Sequence, residues 1–141
     1  MTETALQKNI LLLDDDSFLA DMYAAQLTAR GLTVHESLSA DDALKTLREG
    51  FPASAVVFDI RMPGMDGLTF IKTVLDEKLA PNARLIALTN DGIEGEREKV
   101  LELGALYLVK VATDPADLVT AIETGALPAA PDVSDAAQAG L

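Results

Sequence analysis

Five short apolar runs, separated by longer amphipathic stretches, constrain the fold of this chain more than any other feature. The runs are Ile10–Leu13, Leu32–Val34, Ala55–Phe58, Leu85–Leu88 and Leu106–Val109. Each run is continuously apolar rather than alternating, which is typical of a strand buried on both faces of a parallel sheet. Strict alternation of strands and helices predicts right-handed crossovers, with helices on both faces of the sheet. The sequence therefore predicts a doubly wound, three-layer α/β domain.

The amphipathic stretches carry signals for the starts and ends of helices. Ser39 is a good N-cap, and Asp114 followed by Pro115 predicts the start of the last helix. Gly31 and Gly50 are placed to end the first and second helices. In the first helix we expect one face to be buried, formed by Phe18, Leu19, Met22, Tyr23, Gln26 and Leu27.

The length of 141 residues suits a single domain. We expect an N-terminal extension over residues 1–8, a domain over 9–124 and a flexible tail over 125–141. The tail, ALPAAPDVSDAAQAGL after Gly125, is rich in Ala and Pro and has no periodic apolar stripe. Because it is too short for an output domain, the sequence predicts a free-standing unit.

Composition excludes several classes of function. Lys and Arg number 11 and Asp and Glu 23, and the resulting net charge of −12 opposes binding to nucleic acid or anionic lipid. It favours cations or a protein partner with basic contacts. The chain has no cysteine and one histidine, His35, which excludes thiol catalysis and His-rich zinc sites. Without a membrane-spanning run or a signal-peptide pattern, the predicted location is the cytoplasm.

Polar side chains follow four of the five predicted strands. They are Asp14, Asp15 and Asp16 after the first strand, Asp59 after the third, Thr89 and Asn90 after the fourth, and Lys110 after the fifth. Ligands of such sheets bind beyond the carboxyl ends of the strands, near the point where the strand order reverses. We therefore expect these groups to converge on one site.

A cluster of carboxylates needs protonation or a bound cation. Two carboxylates about 4 Å apart repel each other by roughly 4 kcal/mol at an effective dielectric constant near 20. Oxygen ligands without nitrogen or sulfur donors favour Mg²⁺ over Ca²⁺ or Zn²⁺. A lysine and a threonine hydroxyl opposite the metal would attract phosphate oxygens. The combination fits phosphoryl transfer to a carboxylate, with Asp59 as the nucleophile and Lys110 stabilising the transferred charge.

Four stretches, in this order and spacing, resemble the receiver domains of response regulators: LLLDDD at 11–16, VVFDIRMPGMDG at 56–67, IALTN at 86–90 and YLVK at 107–110. The resemblance covers about residues 9–124. It implies a flavodoxin-like (βα)5 fold with strand order 2-1-3-4-5. It also implies a regulatory domain rather than an enzyme, capable at most of self-phosphorylation and slow autodephosphorylation. Its phosphoryl group would come from a histidine kinase, a histidine phosphotransfer protein or a small phosphodonor.

The resemblance also implies a role for each site residue. Asp14 and Asp15 look like the acidic pair of the family, and Asp59 like the phosphoacceptor. These three, with the backbone carbonyl of Arg61, would hold Mg²⁺. Lys110 looks like the lysine that pairs with the phosphate.

A switch is implied as well. Thr89 resembles the hydroxyl that moves toward the phosphoryl group, and Tyr107 the aromatic residue that then turns inward. The output surface would comprise the fourth helix, the fifth strand and the fifth helix. Phosphorylation would prepare that surface for an unidentified downstream protein or for a second copy of the chain.

Three features bear on the surroundings of the site. Val111 replaces the proline that usually follows the lysine, so we expect a trans peptide bond between Lys110 and Val111. Arg61 and Asp91 occupy variable positions and are expected to form a salt bridge across the site mouth. A charged run is expected to form a solvated face of the fourth helix; it contains Glu94, Glu96, Arg97, Glu98, Lys99 and Glu102.

Two alternative functions remain open. A phosphatase of the haloacid-dehalogenase type also combines a strand-end aspartate, Mg²⁺ and a lysine, and Asp14-x-Asp16 imitates its opening motif. However, Phe18 stands where that motif has Thr or Val, and no acidic pair follows a later strand. The other alternative is a degenerate receiver that only binds partners. Asp16 itself is expected to cap the first helix rather than to bind metal.

Overall fold

The structure is a computed structural model, and it describes residues 8–90, 95–110 and 113–125. These residues form five strands, β1 (Asn9–Leu13), β2 (Thr33–Ser37), β3 (Ala55–Phe58), β4 (Arg84–Thr89) and β5 (Leu106–Val109). They also form five helices, α1 (Ser17–Ala29), α2 (Ala40–Arg48), α3 (Gly67–Asp76), α4 (Glu96–Glu102) and α5 (Pro115–Thr124). Every strand pairing is parallel, in the order β2-β1-β3-β4-β5. The predicted fold and strand order are confirmed.

The core lies in two layers, one on each face of the sheet. Leu11 and Leu13 point into the layer covered by α2, α3 and α4. Ile10 and Leu12 point into the layer covered by α1 and α5. Side chains alternate along a strand, so the Asp14 side chain, directly beyond the end of β1, points to the same α1–α5 face as Ile10 and Leu12. The alternation therefore decides on which side of the sheet each strand-end polar group lies.

The predicted helix ends are confirmed where the structure describes them. The Ser39 hydroxyl accepts a hydrogen bond of 3.1 Å from the Asp42 backbone N–H and so caps α2. Asp114 and Asp117 form a reciprocal capping box at the start of α5. Gly31 follows α1 with φ of 91°, a left-handed conformation that glycine adopts without steric cost.

The bounds of β2 differ from the prediction. The sequence predicts a strand over Leu32–Val34, whereas β2 runs over Thr33–Ser37. This strand lies at the edge of the sheet, and its side chains alternate between more and less exposed positions. A continuous apolar run is therefore the wrong signal for it.

The buried face of α1 also differs from the prediction. Phe18 and Met22 are 75% and 43% exposed, although both were expected to be buried. The buried face is formed by Ala20 and Ala24 together with Tyr23 and Leu27, and the last two were predicted to lie on it. At 3.6 residues per turn, Phe18 and Met22 lie on the opposite side of α1 from Ala20 and Ala24, so the predicted face is rotated away from the observed one.

The ends of the chain lie outside the described residues. The predicted N-terminal extension and flexible tail fall almost entirely in residues 1–7 and 126–141, so the division of the chain stays a prediction. Within the described ranges, no helix has the length and apolar character needed to cross a membrane.

Candidate functional site

Three carboxylates meet at the carboxyl edge of the sheet. β1 and β3 are neighbours, with Leu13 opposite Phe58, so the residues that follow them emerge side by side. Carboxylate oxygens of Asp14, Asp15 and Asp59 lie within 4.8 Å of one another. Asp14 and Asp59 are only 3% and 5% exposed, whereas Asp15 is exposed. The predicted convergence of these aspartates is confirmed.

Lys110 extends into this cluster from the end of β5. Its ammonium nitrogen lies 2.7 Å from Asp14 Oδ2 and 3.5 Å from Asp59 Oδ2, and its side chain is 6% exposed. β3 and β4 separate β5 from β1, so only a long side chain can span the distance. Three carboxylates and one ammonium group leave the cluster with an excess of negative charge. Such a cluster suits a cation with oxygen ligands.

The pKa values of Asp59 and Lys110 reflect their burial and the charges around them. Burial raises the pKa of Asp59, and the charge of Asp14 raises it further; Lys110 and the Ile60 backbone N–H oppose the shift without cancelling it. Burial by itself would lower the pKa of Lys110. The hydrogen bond to Asp14 and the charges of Asp59 and Asp14 outweigh burial, so the pKa of Lys110 is raised. Lys110 is therefore a cation at neutral pH.

Replacing Asp59 by asparagine is expected to stabilise the metal-free chain by about 1–2 kcal/mol at neutral pH. The pKa of Asp59 in the folded chain lies above its unfolded value, so ionising this group opposes folding, and asparagine removes that cost. The gain should shrink as the pH falls through the raised pKa, because the wild-type carboxyl then becomes neutral. Thermal unfolding of both proteins from neutral pH down to about pH 4 measures the difference.

Asp76→Asn is the matched control for this experiment. Asp76 is exposed at the end of α3 and lies outside the carboxylate cluster. Its replacement should leave the stability nearly unchanged at every pH. An Asp59→Asn variant no more stable than the wild type at neutral pH would contradict the electrostatic argument.

The loop between β3 and α3 holds the main chain of Asp59 in place. The Ile60 backbone N–H donates to Asp59 Oδ1 at 2.7 Å, and the Gly67 N–H donates to the Ile60 carbonyl at 2.7 Å. A side chain on Gly67 would collide with this backbone, since its Cβ would lie 2.8 Å from Ile60 Cα. Gly67 is therefore required for the close approach of α3 to the site.

Asp16 and Thr89 are two further strand-end residues of this region. Asp16 Oδ1 accepts hydrogen bonds from the backbone N–H groups of Phe18 and Leu19, at 3.0 and 3.2 Å, and so caps α1 as expected. Thr89 is 1% exposed at the end of β4. Its side chain lies on the same face of the sheet as Tyr107, since Tyr107 is paired with Ala87, two residues before Thr89.

Glu96 is a residue of this region that the sequence did not reveal. The charge pattern predicts that Glu96 lies on a solvated face of α4, but its side chain is only 10% exposed. The Tyr107 hydroxyl donates to Glu96 Oε1 at 2.9 Å, and Arg61 Nε lies 3.7 Å from Glu96 Oε2. The burial of Glu96 becomes visible only once α4 is placed against β5. The expected Arg61–Asp91 salt bridge and the bond before Val111 lie outside the described residues.

The sequence matches the response regulator receiver domain family over residues 10–123, nearly all of the described fold. The chain belongs to this family. Receiver domains accept a phosphoryl group, bind Mg²⁺ at an acidic pocket and interact with histidine kinases in two-component systems. This receiver domain is accordingly a regulatory signalling domain. The alternative of a haloacid-dehalogenase-type phosphatase is wrong, and Asp16 of its supposed motif is a helix cap.

Relatives of the receiver domain include proteins of similar and of greater length. It is 30% identical over 130 residues to an uncharacterised 14.6 kDa protein of Leptolyngbya boryana, covering 92% of this chain and 98% of that protein. It is 29% identical over 118 residues to the phosphate regulon transcriptional regulatory protein PhoB of Klebsiella pneumoniae, covering 84% of this chain. The aligned part is 51% of PhoB, so the chain spans about half the length of that relative.

A solved structure of a response regulator protein from Burkholderia pseudomallei has the same fold. It contains a phosphorylated aspartic acid, a calcium ion and citrate. The TM-score is 0.76 and the identity 28%, covering 84% of this chain and 68% of that chain.

Proposed function

We propose that Asp59 is the phosphoacceptor of this receiver domain, and that Asp14, Asp15, Asp59 and the backbone carbonyl of Arg61 hold Mg²⁺. The observation that carries the proposal is the set of three carboxylates within 4.8 Å beside one buried lysine. A divalent cation would compensate the remaining negative charge, and the oxygen ligands fit Mg²⁺. The phosphorylated aspartic acid and calcium ion of the Burkholderia pseudomallei protein support aspartate phosphorylation and divalent-cation binding in this fold.

Each residue of the site has a separate role in the reaction. An Asp59 carboxylate oxygen forms a bond to phosphorus as the bond from phosphorus to the donor atom breaks. Lys110 lies 3.5 Å from Asp59 Oδ2, where its charge attracts the phosphoryl oxygens, while Asp14 holds it in place. When bound, Mg²⁺ supplies positive charge to the phosphoryl oxygens. Thr89 and Tyr107 respond to the new group as the switch pair.

The phosphoryl donor must be another molecule. His35, the only histidine of the chain, lies in β2 with its ring 5.5 Å from that of Phe51, away from the carboxylate cluster. We therefore assign the donor as a phosphohistidine of a sensor kinase or phosphotransfer protein, or a small phosphodonor. The net charge of −12 favours a protein rather than nucleic acid as the output partner. That partner, or a second copy, would bind the surface of α4, β5 and α5.

Incubation with acetyl phosphate and Mg²⁺ is expected to add one phosphoryl group to the chain. Intact mass spectrometry should show the adduct in the wild type and in Asp76→Asn, a control that leaves the cluster intact. No adduct should form when Mg²⁺ is removed by a chelator, because the negative cluster then repels the donor. A phosphoryl adduct that forms equally well without metal would contradict the proposed chemistry, and a chain that is never labelled would favour the degenerate receiver.

A further inference from the structure

We propose that Glu96 is a positioning residue for this site, which holds Tyr107 and Arg61 in the arrangement of the unphosphorylated chain and opposes phosphorylation. The inference rests on the proposed function of Asp59. Through the Glu96 carboxylate, α4 would directly restrain two segments that carry site residues.

The two oxygens of Glu96 serve different partners. Oε1 accepts the hydrogen bond from the Tyr107 hydroxyl at 2.9 Å, and Oε2 faces Arg61 Nε at 3.7 Å. With a side chain that is 10% exposed, Glu96 has little access to water and depends on such partners for compensation. A hydrogen bond to a carboxylate in such surroundings is stronger than one between neutral groups.

Both partners belong to segments that carry the reaction. Arg61 is the second residue after Asp59, and Tyr107 is the third residue before Lys110. Glu96 therefore connects the loop after β3 with β5 from a third element, the first residue of α4. A displacement of either segment changes one of its two contacts.

Phosphorylation would set up a competition for Arg61. A phosphoryl group on Asp59 brings negatively charged oxygens within two residues of Arg61, and a guanidinium prefers such oxygens in paired geometry. The separation of 3.7 Å to Glu96 is longer than a charge-assisted hydrogen bond, so this contact is the weaker of the two. Arg61 would turn to the phosphoryl group, and a Tyr107 ring that rotates toward Thr89 would give up its bond to Glu96.

Removing Glu96 should therefore favour the phosphorylated arrangement. Glu96→Ala loses both contacts and is expected to speed labelling by acetyl phosphate about tenfold, the effect of one charge-assisted hydrogen bond. Glu96→Gln keeps an acceptor for Tyr107 and should show a smaller increase. Glu98→Gln is the matched control, since it removes one negative charge from an exposed position of the same helix. Glu96→Ala should add no further acceleration in a chain that already carries Arg61→Ala and Tyr107→Phe.

A second measurement examines the contact without phosphorylation. The chain has two tyrosines, Tyr23 and Tyr107, so fluorotyrosine labelling should give two fluorine resonances, assigned with Tyr107→Phe. Glu96→Ala should shift the Tyr107 resonance and leave the Tyr23 resonance in place. The same variant should also be labelled faster by acetyl phosphate. An unchanged Tyr107 resonance, or a labelling rate equal to that of Glu98→Gln, would overturn the inference while leaving the proposed function intact. A wild type that is never labelled would overturn both.

Discussion

Lys110→Met is expected to slow phosphorylation of Asp59 by acetyl phosphate by about 100-fold or more. Methionine nearly preserves the length and volume of lysine but removes the ammonium group that lies 2.7 Å from Asp14 and 3.5 Å from Asp59. The phosphoryl oxygens would then lose the one buried side-chain cation that the described part of the site offers them. The time course of labelling at saturating Mg²⁺, followed by intact mass, gives the rate.

The same variant should be less stable by about 3 kcal/mol in the absence of metal, because Asp14 loses its ion-pair partner in a buried position. The pKa of Lys110 is raised, so its contribution is fully present below the unfolded value of 10.5 and is lost only as the pH rises through the folded pKa. Chemical denaturation at neutral pH measures the difference, with Lys72→Met on the exposed face of α3 as control. A labelling rate within a few-fold of the wild type would mean that Lys110 does not contact the transferred group.

Gly67→Ala is expected to destabilise the fold by about 3 kcal/mol and to reduce phosphorylation together with stability. The added Cβ would lie 2.8 Å from Ile60 Cα, so the backbone that carries Asp59 must move or α3 must withdraw. Helix propensity alone predicts the opposite sign, since alanine in a helix is favoured over glycine by about 1 kcal/mol. The sign of the change in unfolding free energy therefore separates local propensity from close packing at the site.

Ser17→Ala provides the matched control for this substitution. Ser17 is the first residue of α1, as Gly67 is of α3, but it is exposed. Alanine at position 17 should change the stability by less than about 0.5 kcal/mol. If Gly67→Ala were as stable as Ser17→Ala and were labelled normally, α3 would not fix the position of Asp59.

The fold could be predicted from the sequence because its central strands are buried on both faces. β1, β3 and β4 each appear as a continuous apolar run, and their observed bounds differ from the predicted ones by a residue at most. The edge strand β2 alternates in exposure, so its length could not be read from such a run. On α1, Phe18 is exposed because it lies on the opposite side of the helix from Ala20 and Ala24, which face the sheet.

The site was predictable to the extent that its residues follow strands. Asp14, Asp59 and Lys110 converge because parallel strands end at one edge, a consequence of topology that needs no side-chain detail. Glu96 follows no strand, and its charge is typical of a solvated helix face. Its burial depends on how α4 packs on β5, which no local sequence pattern specifies.

Chemical mapping of the adduct tests most directly whether Asp59 carries the phosphoryl group. Borohydride reduces an aspartyl phosphate to homoserine, so the labelled chain can be reduced, digested and sequenced by tandem mass spectrometry. We predict homoserine at position 59 alone, and none in Asp59→Asn treated in the same way. Homoserine at Asp14 or Asp15, or an adduct that persists in Asp59→Asn, would contradict the assignment.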